Sequence, residues 1–157
     1  MRVVAVLVVC CAAVTAFAGE PVDLPPTSTR ALLRWLRDGV YRQRFVPEPA
    51  VHESEAAVHG PHVRTWYGPV LVQDLRGGVL PLRRGAAMVK ELYFAGTDEV
   101  VGWSVMRKVR RRSTRGRGWY FFETFDGRDA LSSGRGVGIC VGCHAAGKDF
   151  LLSAFRP

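Results

Sequence analysis

The sequence predicts an α+β fold, an antiparallel β-sheet with flanking helices. Three observations carry this expectation. One amphipathic helical segment lies early in the chain, β-rich runs follow one another through the middle, and Gly-rich connections between them are short enough for antiparallel pairing. No internal repeat interrupts the order.

The first element is Met1-Arg2 followed by an apolar run from Val3 to Val14, closing on Ala16-Phe17-Ala18 before Gly19. This is the pattern of a signal peptide with a small-x-small cleavage site, residues 1–18. A membrane span is the competing reading, but the run falls short of the roughly 20 apolar residues a bilayer requires. Cys10 and Cys11 leave with the signal, because Val9 is not the small residue a lipoprotein site needs before its cysteine. The expected organisation is therefore a signal peptide (1–18), an N-terminal helix and linker (19–50) and one further domain (51–157). Export places the mature chain in a bacterial periplasm or outside the cell, with no stable membrane span.

After Pro25-Pro26, Thr27-Ser28-Thr29 offers an N-cap. Leu32, Leu33, Trp35 and Leu36 then form an apolar stripe among Arg30, Arg34 and Arg37, and Gly39 stops the helix. Phe45 to His62 contains Pro47, Pro49, Gly60 and Pro61 without periodicity and reads as a loop. Val63 to Tyr67 is β-prone, Pro69 to Leu75 reads as a short helix, and Gly77-Gly78 as a turn. Ala86 to Phe94, Val100 to Val109 and Trp119 to Phe125 are rich in β-branched and aromatic residues. Gly96-Thr97-Asp98 and Arg115-Gly116-Arg117-Gly118 connect them as hairpins. Lys148 to Phe155 is expected to add a last helical turn or two.

With the signal removed, Cys140 and Cys143 are the only cysteines. Two cysteines in an exported chain ordinarily form a disulfide. Here they stand in Cys140-Val141-Gly142-Cys143-His144, the C-x-x-C-H form of c-type haem attachment. Two thiols at this spacing can add to both vinyl groups on one porphyrin edge while the next histidine turns toward the iron. The preceding Gly134-Arg135-Gly136-Val137-Gly138 removes bulk where the chain must approach a flat cofactor, and would equally suit a tight loop. A thioredoxin-like pair needs a long helix and further strands downstream, but only Ala145 to Pro157 remain. Zinc held by Cys140, Cys143, His144 and one of His52, His59 or His62 would force adjacent residues into one tetrahedron. Small all-helical cytochromes carry this motif near the beginning, and four-helix cytochromes c′ need four long helical segments, of which only one is present.

From Val51 onward the chain resembles the cytochrome P-460 family, small exported haem proteins built on an antiparallel sheet, with the cytochromes c′-beta as relatives. The resemblance rests on Val58-His59-Gly60, Val63-Arg64, Met88-Val89-Lys90-Glu91-Leu92-Tyr93, Gly102-Trp103-Ser104-Val105-Met106, Trp119-Tyr120-Phe121, Gly138 to His144 and Gly147-Lys148-Asp149. A Val-Lys-Glu strand well ahead of a C-terminal haem motif is the distinguishing combination. The resemblance implies one haem c per chain, bound near the C-terminus by Cys140 and Cys143, with His144 as the iron's axial ligand.

It also implies a five-coordinate iron and a covalent bond between the porphyrin and the lysine matching Lys90. Alternation puts Lys90 in a row with Met88, Leu92 and Phe94. A lysine there must reach water, find a partner or react; a salt bridge or a snorkelling chain is the plainer reading, since the face carrying Val89 and Tyr93 could equally be the inner one. The hydroxylamine-oxidising members carry a distal glutamate that accepts protons, and its place falls on Ser104. Serine cannot serve as such a base near neutral pH. Glu99 or Glu123 can substitute only where the fold brings it over the iron, so Ser104 and Glu123 are the candidate distal groups. Phe94 is a candidate wall of the distal pocket, and Met88 and Met106 are candidate sixth ligands.

The expected activity is binding or oxidation of a small nitrogen compound, hydroxylamine or nitric oxide, at an open distal site. The alternatives are an electron-transfer cytochrome without substrate and a nitric oxide scavenger. A redox partner protein and a homodimer are compatible with each. Lysines and arginines number 22 against 14 acidic residues, a net charge of +8, and many of them fall between Arg107 and Arg117. That run suits an acidic partner, an anionic membrane or a solvated loop, and export disfavours nucleic acid. His52, His59 and His62 read as turn and packing residues, with metal binding as the alternative.

Overall fold

A computed structural model describes residues 24–153 and 155. The expected signal peptide, with Cys10 and Cys11, lies outside the described residues. Among the described residues no helix is long and apolar enough to cross a membrane.

The first helix, α1 (Thr29–Arg37), begins after Ser28 in extended backbone and ends where Gly39 enters the left-handed region at φ 63°. The Asp38 and Gly39 amides close its last turn on the Arg34 and Leu36 carbonyls. The expected N-cap differs in detail: Ser28 makes no side-chain cap, and the Thr29 hydroxyl instead meets Ser133 at 2.8 Å. Leu32, Trp35 and Leu36, spaced three and four apart, form the buried stripe.

Among the described residues seven strands make one antiparallel sheet: β1 (Val46–Pro47), β2 (His52–Glu53), β3 (His62–Tyr67), β4 (Ala87–Tyr93), β5 (Val100–Lys108), β6 (Trp119–Thr124) and β7 (Ser132–Arg135). The order is β1-β3-β4-β5-β6-β7, with β2 also on β3. Helix α2 (Pro69–Arg76) connects β3 to β4, with proline in its first turn, where no amide proton is needed. Helix α3 (Gly138–His144) follows β7.

Both faces of the sheet are covered. Val89, Trp103, Val105 and Phe122 pack under Leu32 and Trp35 of α1. On the other face Met88, Met106, Trp119 and Phe121 pack with Leu71 of α2 and with Cys140 and Val141 of α3. This explains why β4 is buried on both sides and resolves which of its rows is inner: each is. Glu91 points toward the α1 side and is buried there, accepting hydrogen bonds from the Tyr41 and Tyr93 hydroxyls, the Trp66 indole and Arg42. Four donors around one carboxylate satisfy a charge that would otherwise be costly to bury.

Two expectations are corrected, and one further strand is added. The Phe45–His62 segment is not wholly loop; it holds β1, β2 and a 3₁₀ turn, Ala57–His59. Two-residue strands are too short to show periodicity and are defined by their backbone partners on β3. The run Ser132–Arg135 pairs with β6 as a further strand, its small residues giving no β signal. The final segment is no helix: Asp149 and Phe150 have φ 51° and 69°, and Lys148 bridges to Leu151 in a tight turn.

Candidate functional site

Strand register assembles the site. Thr65, Lys90, Ser104, Glu123 and Ser132 are successive cross-strand partners from β3 to β7. Tyr67, Met88, Met106 and Phe121 form a parallel row beside it. Over these rows lies α3, with Cys140, Cys143 and His144 spaced along one helical turn.

Two adjoining hollows open between α3 and the sheet, of about 270 and 430 Å³. His59, Ser104, Met106, Cys143 and His144 line both. Cys140 and Glu123 line the smaller, Lys90 and Met88 the larger. The two cysteines are free thiols, Cys143 exposed and Cys140 half-buried. Burial pushes the Cys140 thiol up, which keeps it protonated.

The surroundings of the smaller hollow are unusually apolar for a surface. Val58, Phe125, Leu131 and Ile139 are 61%, 44%, 66% and 78% exposed, and all four line it beside the two thiols. A contiguous uncovered apolar rim of this kind marks a binding site. An apolar group seated there would cover it, within reach of both sulfurs.

The His144 ring is fixed from behind. Its Nδ1 lies 3.0 Å from the Phe150 carbonyl, which can only accept, so Nδ1 carries the proton and Nε2 keeps a free lone pair. Burial, with His59 and Lys90 nearby, holds this imidazole below the ordinary histidine range and thus neutral. Phe121 packs 5.7 Å from it, ring to ring.

Glu123 and His59 supply the polar side. His59 Nδ1 is 2.6 Å from Glu123 Oε1, and the His59 ring stands 6.4 Å from that of His144. The loop residue His59 was expected to be a turn or metal residue; its role here follows from a fold contact across 64 positions. Lys90 lines the same space with no hydrogen bond to it among the described residues; burial lowers its pKa, and Glu48 and Glu123 act in the opposite sense.

Not every expected residue arrives. Phe94 lies past the end of β4, 63% exposed, and does not wall the site; a register shift after Leu92 takes it out of the row. Glu99 lines a separate hollow with Arg37, Trp103 and Asp126, so of the two candidate carboxylates Glu123 is the one that lines a hollow with His144. His52 turns to Glu48 at 3.1 Å. Among the described residues no three His, Cys, Asp or Glu side chains gather into a metal-ion cage.

The basic run Arg107–Arg117 is partly interior. Arg107 and Lys108 are buried, whereas Arg110 to Arg112, Arg115 and Arg117 are exposed. The loop rests on α3: a Cβ at Gly116 would meet Val141 Cγ2 at 2.3 Å. No family model and no curated protein matches this chain.

Proposed function

We propose that the chain is a c-type cytochrome of the P-460 type, with one haem joined through Cys140 and Cys143 and ligated by His144. The observation that carries this reading is the apolar rim of Val58, Phe125, Leu131 and Ile139 around two free thiols and one neutral imidazole. A porphyrin is flat, apolar and large, and would cover that rim. A disulfide would use the sulfurs and leave the rim bare.

When bound, the haem supplies an iron that changes valence or ligation. The chain's residues do the rest. His144 presents Nε2 because Nδ1 is engaged by Phe150. Phe121 and Met106 exclude water from one side of the hollow. Glu123, held by His59, accepts a proton from a small nitrogen compound such as hydroxylamine, a task that Ser104 across the strand pair cannot perform. The reaction class is haem-dependent oxidation or binding of that compound, with nitric oxide as the ligand where no turnover occurs. Export to the periplasm and a redox partner protein belong to this proposal.

A second reading, an electron carrier with both axial positions filled, draws on Met106, which lines both hollows. Spectra of ferric and ferrous protein with and without nitric oxide separate the two. An open site gives a spectrum that shifts on adding the ligand; a low-spin, unresponsive spectrum favours the carrier.

A further inference from the structure

Six residues after α3 ends, the chain must return a carbonyl to the back of His144, and the turn that does so is unfavourable by itself. Asp149 and Phe150 both have positive φ, 51° and 69°, a region that Asp tolerates and a bulky residue such as Phe avoids. The preceding Gly147 has no alternative, since a Cβ there would lie 2.3 Å from the Leu151 carbonyl oxygen.

What holds the turn is Asp149. Its carboxylate accepts from the Leu82 amide at 2.8 Å and from Lys108 Nζ, and its carbonyl accepts from the Trp119 indole at 2.7 Å. The Lys108 side chain is fully buried, also donates to Ser113 and sits 4.9 Å over the Trp119 ring. A buried ion pair contributes little net stability compared with apolar residues of similar shape. Its geometric effect is specific: contacts from β5, β6 and the Leu82 segment converge on the residue preceding the Phe150 carbonyl.

We propose that the Lys108–Asp149 pair, with Trp119, is a positioning device for His144, pinning the carbonyl that keeps the ring's proton on Nδ1 and aims Nε2 into the hollow. The orientation of the ring stands on the chain alone; only its consequence for an iron atom rests on the haem reading. A firmly held acceptor makes the imidazole a stronger donor and favours ferric over ferrous iron.

The test uses two disruptive variants and one conservative control. Lys108→Met with Asp149→Leu replaces the ion pair by an apolar one, and Trp119→Phe removes the indole donor while keeping a smaller aromatic ring under Lys108. Circular dichroism and thermal unfolding establish folding, and the haem content of each protein is measured by pyridine haemochrome absorbance. Histidine ¹⁵N spectra of the diamagnetic ferrous, carbon monoxide-bound form report the tautomer and the exchange of the Nδ1 proton. In the wild type His144 is a single Nδ1-protonated tautomer with slow exchange. In both variants exchange quickens, and the ferric-to-ferrous ratio at fixed potential falls by roughly tenfold, about 59 mV for one electron. Lys108→Arg, which keeps the pair, retains wild-type values. Folded, haem-bearing variants with unchanged exchange and unchanged potential overturn the proposal, and if the double variant does not fold, Trp119→Phe decides. A wild type that carries no haem defeats the haem reading instead, and histidine ¹⁵N spectra of that haem-free chain and its variants still judge the positioning.

Discussion

Ser104 of β5 and Glu123 of β6 are direct cross-strand partners, so the strand that lacks a carboxylate at the site faces one on its neighbour. Both side chains line the hollow that holds His144, and His59 holds the Glu123 carboxylate at 2.6 Å. A carboxylate absent from one strand at this hollow is thereby present on the next.

Glu123→Gln is expected to lower hydroxylamine-dependent reduction of an acceptor by roughly 10²-fold, the usual scale for losing a general base, while nitric oxide binding persists. Steady-state assay and ligand titration on the same sample check this. Equal turnover by variant and wild type would remove Glu123 from the proton path.

Lys90 faces the larger hollow together with Cys143 and His144. Lys90→Met should keep the thioether-bound haem and shift its absorption maxima, because a polar group beside the cofactor is exchanged for an apolar one. Mass spectrometry of haem peptides adds the covalent question: a Lys90 peptide released without a mass shift excludes a bond to the porphyrin. An unaltered spectrum in the variant would place Lys90 away from the cofactor.

On the opposite face, burial raises the Glu91 pKa, but hydrogen bonds from Tyr41, Tyr93, Trp66 and Arg42 outweigh it and leave the group below its ordinary 4.5. A carboxylate depressed in the folded state stabilises fully above its unfolded value and loses that contribution as pH falls through the lower folded value. The urea midpoint of the wild type should therefore fall as pH drops below that ordinary value. Glu91→Gln should cost about 3 kcal/mol near neutral pH and show a flatter acid limb. Parallel pH profiles for the two proteins would contradict this.

Gly102 lies against the backbone at the end of β6; a Cβ there would stand 2.1 Å from the Thr124 carbonyl oxygen and 2.9 Å from Phe125 Cα. Backbone cannot give way as a side chain can. Gly102→Ala should cost about 2 kcal/mol or more and lower the melting temperature, with the smaller hollow perturbed through Phe125. An unchanged melting temperature would show that the strands can part freely.

Most of the sheet was legible because its central strands are long and rich in Val, Trp, Tyr and Phe, and α1 because Leu32, Trp35 and Leu36 keep helical spacing. The thiols and His144 were legible as a local motif. Beyond local pattern the sequence was silent. The His59–Glu123 contact spans 64 positions, and the choice of Glu123 over Glu99 depended on register, since each lies near the end of a strand. Phe94 illustrates the converse: strict alternation put it in the row with Lys90, and one irregularity after Leu92 took it out. The left-handed turn at Asp149 and Phe150 was hidden because its cause, buried Lys108, comes from a distant strand.

The central claim is the covalent haem at Cys140 and Cys143. Protein made alongside a c-type haem attachment system, then denatured and passed through a mass spectrometer, tests it most directly. The expected result is a chain heavier by one haem, with that mass abolished by joint Cys140→Ala and Cys143→Ala substitution. An intact chain with no added mass, or one lighter by two hydrogens through a Cys140–Cys143 disulfide, would contradict it.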